Sequence, residues 1–209
     1  MILRVGLTGG IASGKSTITR ILAGLGCVTV DADEVVGRLY RPGGGGHEAV
    51  VREYGKDVLL PDGEIDRRKL ADIAFASKES AAKLNALIHP LVIAEENRII
   101  AAEEQRFPER DRIFVVEASL LLESGGRDRY DRIIVVDLDP TMQVERAVGR
   151  GLSRSEAERR MRHQMSREDR LRHADYVIDN SGDRRSAEIQ TREVYQKLRD
   201  DLSRMKRRP

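Results

Sequence analysis

The chain has no tryptophan, a single cysteine, and aromatic residues at only 4% of its 209 positions. One cysteine cannot close an internal disulfide. Cys27 lies in an apolar run that reads as a strand, so a buried, inert thiol is expected there. Nowhere do about 18 apolar residues run together, and the amino-terminal segment turns polar and glycine-rich by Thr8. Neither a membrane span nor a signal-peptide core is therefore expected, and a reducing cytoplasm fits. An excess of one charge is missing too. The 37 basic and 35 acidic residues leave +2 with the signs interspersed, so the chain as a whole offers no field for nucleic acid. The one dense patch, residues 204–208, reads either as a solvated helix end or as a contact for an anionic partner. Two strings are also absent. Without G-x-G-x-x-G a Rossmann dehydrogenase is disfavoured, and without the guanine-reading N-K-x-D so is a switch of the common GTPase type.

What is present, 40% hydrophobic and 34% charged residues over a length that suits one α/β unit with insertions, describes a globular protein with an aliphatic core. Residues 2–7 form a short apolar run of high β content; beyond Gly14 the spacing turns helical, with Ile18, Ile21, Leu22 and Leu25 on one face. Gly24 and Gly26 should stop that helix, and 27–30 read as a second strand ending on Asp31-Ala32-Asp33. A β-loop-α-β unit of this kind points to parallel α/β architecture. Between 34 and 106 only helical stretches are found, near 34–40, 47–54, 66–75, 77–88 and 90–105. They are broken by Pro42 and the four glycines after it, read as a flexible connector, by Pro61-Asp62-Gly63 and by Pro90. Strands are expected at 113–117, 132–137 and 176–179, charged helix over 141–170 with a break near Gly151, and a last helix from about 184.

Gly9-Gly10-Ile11-Ala12-Ser13-Gly14-Lys15-Ser16 satisfies G-x-x-x-x-G-K-[ST] between a strand and a helix, the context in which that string marks a phosphate-binding loop. The glycines let the backbone curl so that successive N–H groups converge on phosphate oxygens, and the following helix aims its positive dipole end at the same point. Lys15 would neutralise the β- and γ-phosphates, and the Ser16 hydroxyl would ligate Mg²⁺.

The acceptor side rests on weaker signals. Asp31 and Asp33, at the carboxyl end of the second strand, either take a hydroxyl proton or serve Mg²⁺, or else cap the helix that follows. Of the arginines between 146 and 167, Arg146 and Arg150 stand one helical turn apart on one face and are candidates to close over a transferring phosphoryl group; the rest read as surface. Arg67 reads equally as a phosphate clamp and as a partner for nearby acids. His89, before Pro90, reads as a structural residue at a helix boundary or as a substrate contact. Asn180 is either an adenine-side hydrogen-bonding residue or an ordinary turn residue.

Taken together, these residues resemble the bacterial dephospho-coenzyme A kinases nearly end to end. Gly6-Leu7-Thr8 through Ser16-Thr17 looks like that family's phosphate loop, and Asp31-Ala32-Asp33 like its acceptor carboxylates. Ile65-Asp66-Arg67 with Leu70 and Phe75, and then Leu87-Ile88-His89-Pro90, resemble its helical substrate-side region. Gln143 with Arg146, Arg150 and Gln164 is similar to its lid, and residues 174–182 to its last strand and the turn near adenine. The resemblance implies a P-loop NTPase three-layer fold with a five-stranded parallel sheet. The core would comprise about 1–33, 107–140 and 171–209, with a helical acceptor-side insertion at about 34–106 and a lid at about 141–170.

The resemblance also implies the reaction. The γ-phosphoryl group of ATP would pass to the ribose 3′-hydroxyl of dephospho-CoA, the last step of coenzyme A biosynthesis, with ATP and Mg²⁺ as cofactors. Lys15, Asp33, Arg146 and Arg150 would be catalytic; residues 9–17 and Asn180 would hold nucleotide; Asp31, Asp33, Arg67 and His89 would hold substrate. No membrane or nucleic-acid partner is implied, and oligomeric state is not indicated. The chain departs from the family pattern twice. Ala12 replaces the usual mid-loop glycine, which is tolerable only if that residue needs no positive φ; and residues 117–123 lack the usual Pro before the Leu pair. A nucleoside monophosphate kinase would share every ATP-side residue. A nucleotide-dependent switch and a nucleic-acid-binding module using the basic tail are the rivals from other classes.

Overall fold

The computed structural model describes residues 1–74 and 76–206, with the side chain of Lys78 excepted. Phe75 and the tail residues Arg207 and Arg208 singled out above lie outside the described residues. The chain forms two compact units, one of residues 1–31 with 109–209 and one of 32–108.

The first unit is built on five parallel strands, β1 (Ile2–Thr8), β2 (Val28–Asp31), β3 (Arg112–Glu117), β4 (Arg132–Asp137) and β5 (Tyr176–Asp179), in the spatial order β2-β3-β1-β4-β5. Its strands are near-continuous aliphatic runs because both faces of a parallel sheet are covered. On one face Leu3, Val5, Leu7, Val115, Val136 and Ile178 meet Ile18 and Leu22 of α1 (Lys15–Gly24) and Val194, Leu198 and Leu202 of α9 (Arg184–Met205). On the other, the side chains of Leu121, Tyr130 and Ile133 close on Gly6. Cys27 is buried just before β2, one residue outside the strand expected to hold it. Burial pushes its thiol up to about 12 against the pull of Arg199, so almost no reactive thiolate exists at neutral pH.

In the charged segment three helices replace the two stretches expected: α6 (Pro140–Gly149), α7 (Arg154–Arg162) and α8 (Arg167–Arg172). Gly151 at φ 97 makes the first break. The side chains of Ser153 and Ser166 cap the next two helices by accepting from Glu156 and Asp169 backbone N–H.

Arg132 of β4 donates to both carboxylate oxygens of buried Asp201 in α9, at 2.7 and 3.0 Å, and Tyr176 of β5 adds a third donor at 2.6 Å. Burial pushes the Asp201 carboxyl up, but these hydrogen bonds outweigh it and hold it below its ordinary range. A depressed carboxyl stabilises the fold fully above the ordinary Asp range and loses that contribution as pH falls through its folded-state value. Asp201→Asn should therefore cost about 3 kcal/mol at pH 7 and narrow the gap between urea melts at pH 7 and in acid. An unaltered gap would place the acid sensitivity elsewhere.

The second unit is helical: α2 (Ala32–Leu39), α3 (Gly45–Tyr54), α4 (Arg67–Ala74) and α5 (Lys78–Arg106), with an isolated antiparallel bridge between Leu59 and Ile65. Two expectations fail here. The glycine run is no flexible connector, because Gly45 and buried Gly46 open α3 and a side chain on Gly44 would lie 2.5 Å from the Leu39 carbonyl oxygen. Nor does Pro90 break the helix: α5 continues through it for 29 residues. Losing one backbone hydrogen bond and accommodating the ring costs about 3 kcal/mol. Burying Ile88, Val92 and Ile100 returns about 1.5–3 kcal/mol each, so packing decides. His89 accordingly sits inside a helix, which removes its reading as a boundary residue.

Candidate functional site

The loop leaving β1 lies at the carboxyl end of the sheet, and β1 is flanked by β3 and β4, the position at which open α/β sheets bind ligands. Glycine is required at its two ends. A side chain on Gly9 would lie 2.5 Å from the Val136 carbonyl oxygen, and Gly14 takes φ 96 with the Asn180 side-chain nitrogen 2.1 Å from where a Cβ would stand. Gly14 is also the N-cap of α1 and supplies no capping side chain, so the dipole end of that helix faces the loop without a side-chain acceptor. Among the described residues, Thr8 Oγ1 and Ser13 Oγ find no hydrogen-bond partner although both are buried. Lys15 Nζ folds back to donate to the carbonyls of Gly9 at 3.1 Å and Gly10 at 3.4 Å. Ser16 is exposed in the first turn of α1.

Ala12 overturns the condition set for it. It adopts φ 53, the only positive value at a non-glycine among the described residues. Its side chain and that of Ile11 pack on Val144 and Ala147 of α6 and Ala157 of α7, which helps hold a conformation that costs an L-residue about 1–2 kcal/mol. Ala12→Gly should stabilise the protein by about 0.5–1 kcal/mol once the greater freedom of glycine in the unfolded chain is subtracted, read as a rise in Tm of about 1–4 °C. A fall in Tm would show that the alanine methyl contributes more by packing than its backbone costs.

Side chains from distant parts of the chain surround this loop. Asn180 Nδ2 donates to the Ser13 carbonyl at 2.7 Å, so Asn180 is no ordinary turn residue. Arg146 Nη2 donates to the Asn180 carbonyl at 2.9 Å. Arg150, by contrast, is the exposed C-cap residue of α6, just past the helix that carries Arg146. Gln164 Oε1 accepts the Ile11 N–H at 2.8 Å, and the Gln143 side chain lies against Gly10. Two other arginines have structural tasks. Arg167 holds Asp137 at the end of β4 through two hydrogen bonds of 2.7 and 2.8 Å, which keep that carboxyl below its ordinary range, and Arg170 is buried beside Glu123.

One residue received no role from the sequence. Glu117 ends β3, buried, in register with Leu7 of β1 on one side and Asp31 of β2 on the other. Its carboxylate thus stands at the sheet edge from which the loop departs. The available signal was a run of four apolar residues, Ile113 to Val116, closed by an acid, the pattern of a strand that delivers a Mg²⁺-side carboxylate in P-loop NTPases.

In the helical unit a cavity of about 650 Å³ is lined by Asp33, Arg38, Tyr40, Arg41 and Arg67, among others. Asp33 lies in the first turn of α2, where the helix dipole favours its negative charge. Arg67 donates to the Gly37 carbonyl at 3.5 Å and stands 5.8 Å over the Tyr40 ring. Burial pushes the Tyr40 phenol up to about 12 against the opposing Arg67 charge, so the ring is neutral beneath the guanidinium. His89 does not line this cavity.

Among the described residues no three His, Cys, Asp or Glu side chains cluster into a metal cage, and no helix is long and apolar enough to cross a membrane. A parallel sheet in this order, with a glycine-and-lysine loop between its central strand and the next helix, defines the class: a P-loop NTPase. A shikimate kinase from Acinetobacter baumannii shares the fold, at a TM-score of 0.52 and 14% identity over 96% of this chain and 95% of that one. The particular family follows from closer matches. The profile for dephospho-CoA kinase matches residues 3–186. The dephospho-CoA kinase of Aquifex aeolicus is 40% identical over 95% of this chain and 98% of its own, and that of Geobacter sulfurreducens 42% over 92% and 97%. The solved dephospho-CoA kinase of Campylobacter jejuni superposes with a TM-score of 0.63 at 26% identity, covering 95% of this chain and 98% of that one. The chain belongs to the dephospho-CoA kinase family.

Proposed function

We propose that the protein transfers the γ-phosphoryl group of ATP to the ribose 3′-hydroxyl of dephospho-CoA, giving CoA and ADP in the last step of coenzyme A biosynthesis. The observation that carries the ATP half is the loop itself: curled backbone, Lys15 folded onto it, and the buried hydroxyls of Thr8 and Ser13 without partners among the described residues. Such orphaned groups in a curled loop suit a triphosphate, whose oxygens accept from several donors at once. The Ser16 hydroxyl, with Glu117 and Asp31 at the neighbouring strand ends, would hold Mg²⁺, which supplies positive charge against the phosphate oxygens.

Lys15 leaves the loop carbonyls and neutralises charge developing between the β- and γ-phosphates. Asp33 is favoured over Asp31 as the group that orients or deprotonates the acceptor hydroxyl, because it lines the cavity large enough to take a substrate. Arg67, steadied over Tyr40, offers that substrate a guanidinium. Residues 141–170 act as the lid, with Arg146 already tied beside the loop and Arg150, exposed at the C-cap of the same helix, reaching the transferring group. A buried, protonated Cys27 suits a reducing cytoplasm.

ADP release measured with Mg-ATP against dephospho-CoA, AMP, CMP and no acceptor tests the reading. Release with dephospho-CoA alone is expected. Release with a nucleoside monophosphate instead would transfer the assignment to that neighbouring kinase class, and release without any acceptor would point to a hydrolase.

A further inference from the structure

A loop whose N–H dipoles converge is unfavourable until an anion arrives, and a left-handed alanine within it adds strain. Some part of the fold must hold that shape in advance, because the apparent dissociation constant rises in inverse proportion to the fraction of time the loop is in its binding shape. The structure shows the holding contacts. Gln164, in the connector between α7 and α8, accepts the Ile11 N–H at 2.8 Å. The Ile11 and Ala12 side chains sit on the apolar cluster of Val144, Ala147 and Ala157. Asn180 takes the Ser13 carbonyl at 2.7 Å from the far end of the loop. The strained residue therefore lies between two side-chain amides that belong to other elements.

We propose that Gln164 is a positioning residue that keeps the phosphate loop in its nucleotide-binding shape, so that the α7–α8 connector sets ATP affinity without needing to touch the nucleotide. This rests on the reading of the loop as an ATP site and deepens it. Gln164 acts on the backbone on the amino-terminal side of Ala12, and Asn180 on the carboxyl-terminal side. Releasing either lets φ of Ala12 relax toward negative values and scatters the amides. The mechanism makes a specific demand: a residue at position 12 that is comfortable at positive φ must reduce the dependence on Gln164.

The test is a thermodynamic cycle of Gln164→Ala and Ala12→Gly, read by calorimetric titration of Mg-ATP with thermal melts of each variant. Gln164→Ala should weaken Mg-ATP binding about 3–10-fold, the equivalent of one hydrogen bond, and Ala12→Gly in that background should recover most of the loss. Gln164→Met, which fills similar space without the acceptor, should reproduce the loss and guards against collapse of the connector. Affinity unchanged while Tm falls would make Gln164 a structural residue and overturn the proposal. So would effects of the two substitutions that simply multiply. Because the titration contains no acceptor, a wild-type protein that binds Mg-ATP but fails to phosphorylate dephospho-CoA would remove the acceptor assignment and leave this inference standing. One that binds no Mg-ATP would remove both.

Discussion

Lys15→Ala should lower kcat by about 10²–10³-fold, comparable to the loss of one donor aimed at a developing charge. The side chain is half-buried and already curled over the loop, 3.1 Å from the Gly9 carbonyl. It needs only rotations of its own stem to exchange two neutral acceptors for phosphate oxygens. In the ground state the triphosphate is also held by backbone amides, so the lysine's largest contribution falls where negative charge builds on the bridging and equatorial oxygens. At about 1.4 kcal/mol per decade, the expected loss corresponds to about 3–4 kcal/mol of transition-state stabilisation. Single-turnover rates at saturating Mg-ATP isolate it, and the ATP dissociation constant should change far less. Lys15→Arg should not restore the rate, because a planar guanidinium cannot take the place of a compact ammonium folded on its own loop. Near-normal turnover in Lys15→Ala would refute the role.

The phosphate loop was legible from sequence because its information is local. Eight consecutive residues and a strand-to-helix transition define it, and the structure places both glycine ends where a side chain could not fit. The parallel α/β class was legible for the same reason, since buried aliphatic strands alternate with helical spacing. Failures occur where long-range packing overrides local preference. Pro90 and the glycine run are breakers by propensity, yet burial of α5 and the tight turn under Leu39 absorb them. Glu117 has no meaning until the sheet order sets β3 between β1 and β2. The grip of Asn180 on Ser13 spans 167 residues of sequence, and no periodicity announces such a contact. The positive φ of Ala12 is hidden for another reason, because alanine does not visit that region routinely, as glycine and occasionally asparagine or aspartate do. The departure from the family's glycine pattern was visible, but its backbone consequence was not.

Asp33→Asn should separate chemistry from nucleotide binding. The amide keeps the size of the carboxylate and its place in the first turn of α2 but cannot accept a proton. Turnover should fall by about 10²-fold, the lower end of the range for general-base removal, because a loose transition state needs the hydroxyl deprotonated only late. Mg-ATP affinity should stay within about twofold, as expected when an interaction specific to the transition state is removed. The companion Asp31→Asn tests the division of labour between the two acids. Asp31 pairs in register with Glu117 at the sheet edge, so its loss should raise the Mg²⁺ concentration needed for half-maximal rate and leave the acceptor KM nearly unchanged. If instead Asp33→Asn shifts the Mg²⁺ requirement and spares turnover at saturating metal, the roles are exchanged. The carboxylate on the cavity wall would then serve the metal, and the proton would leave through the one that ends β2.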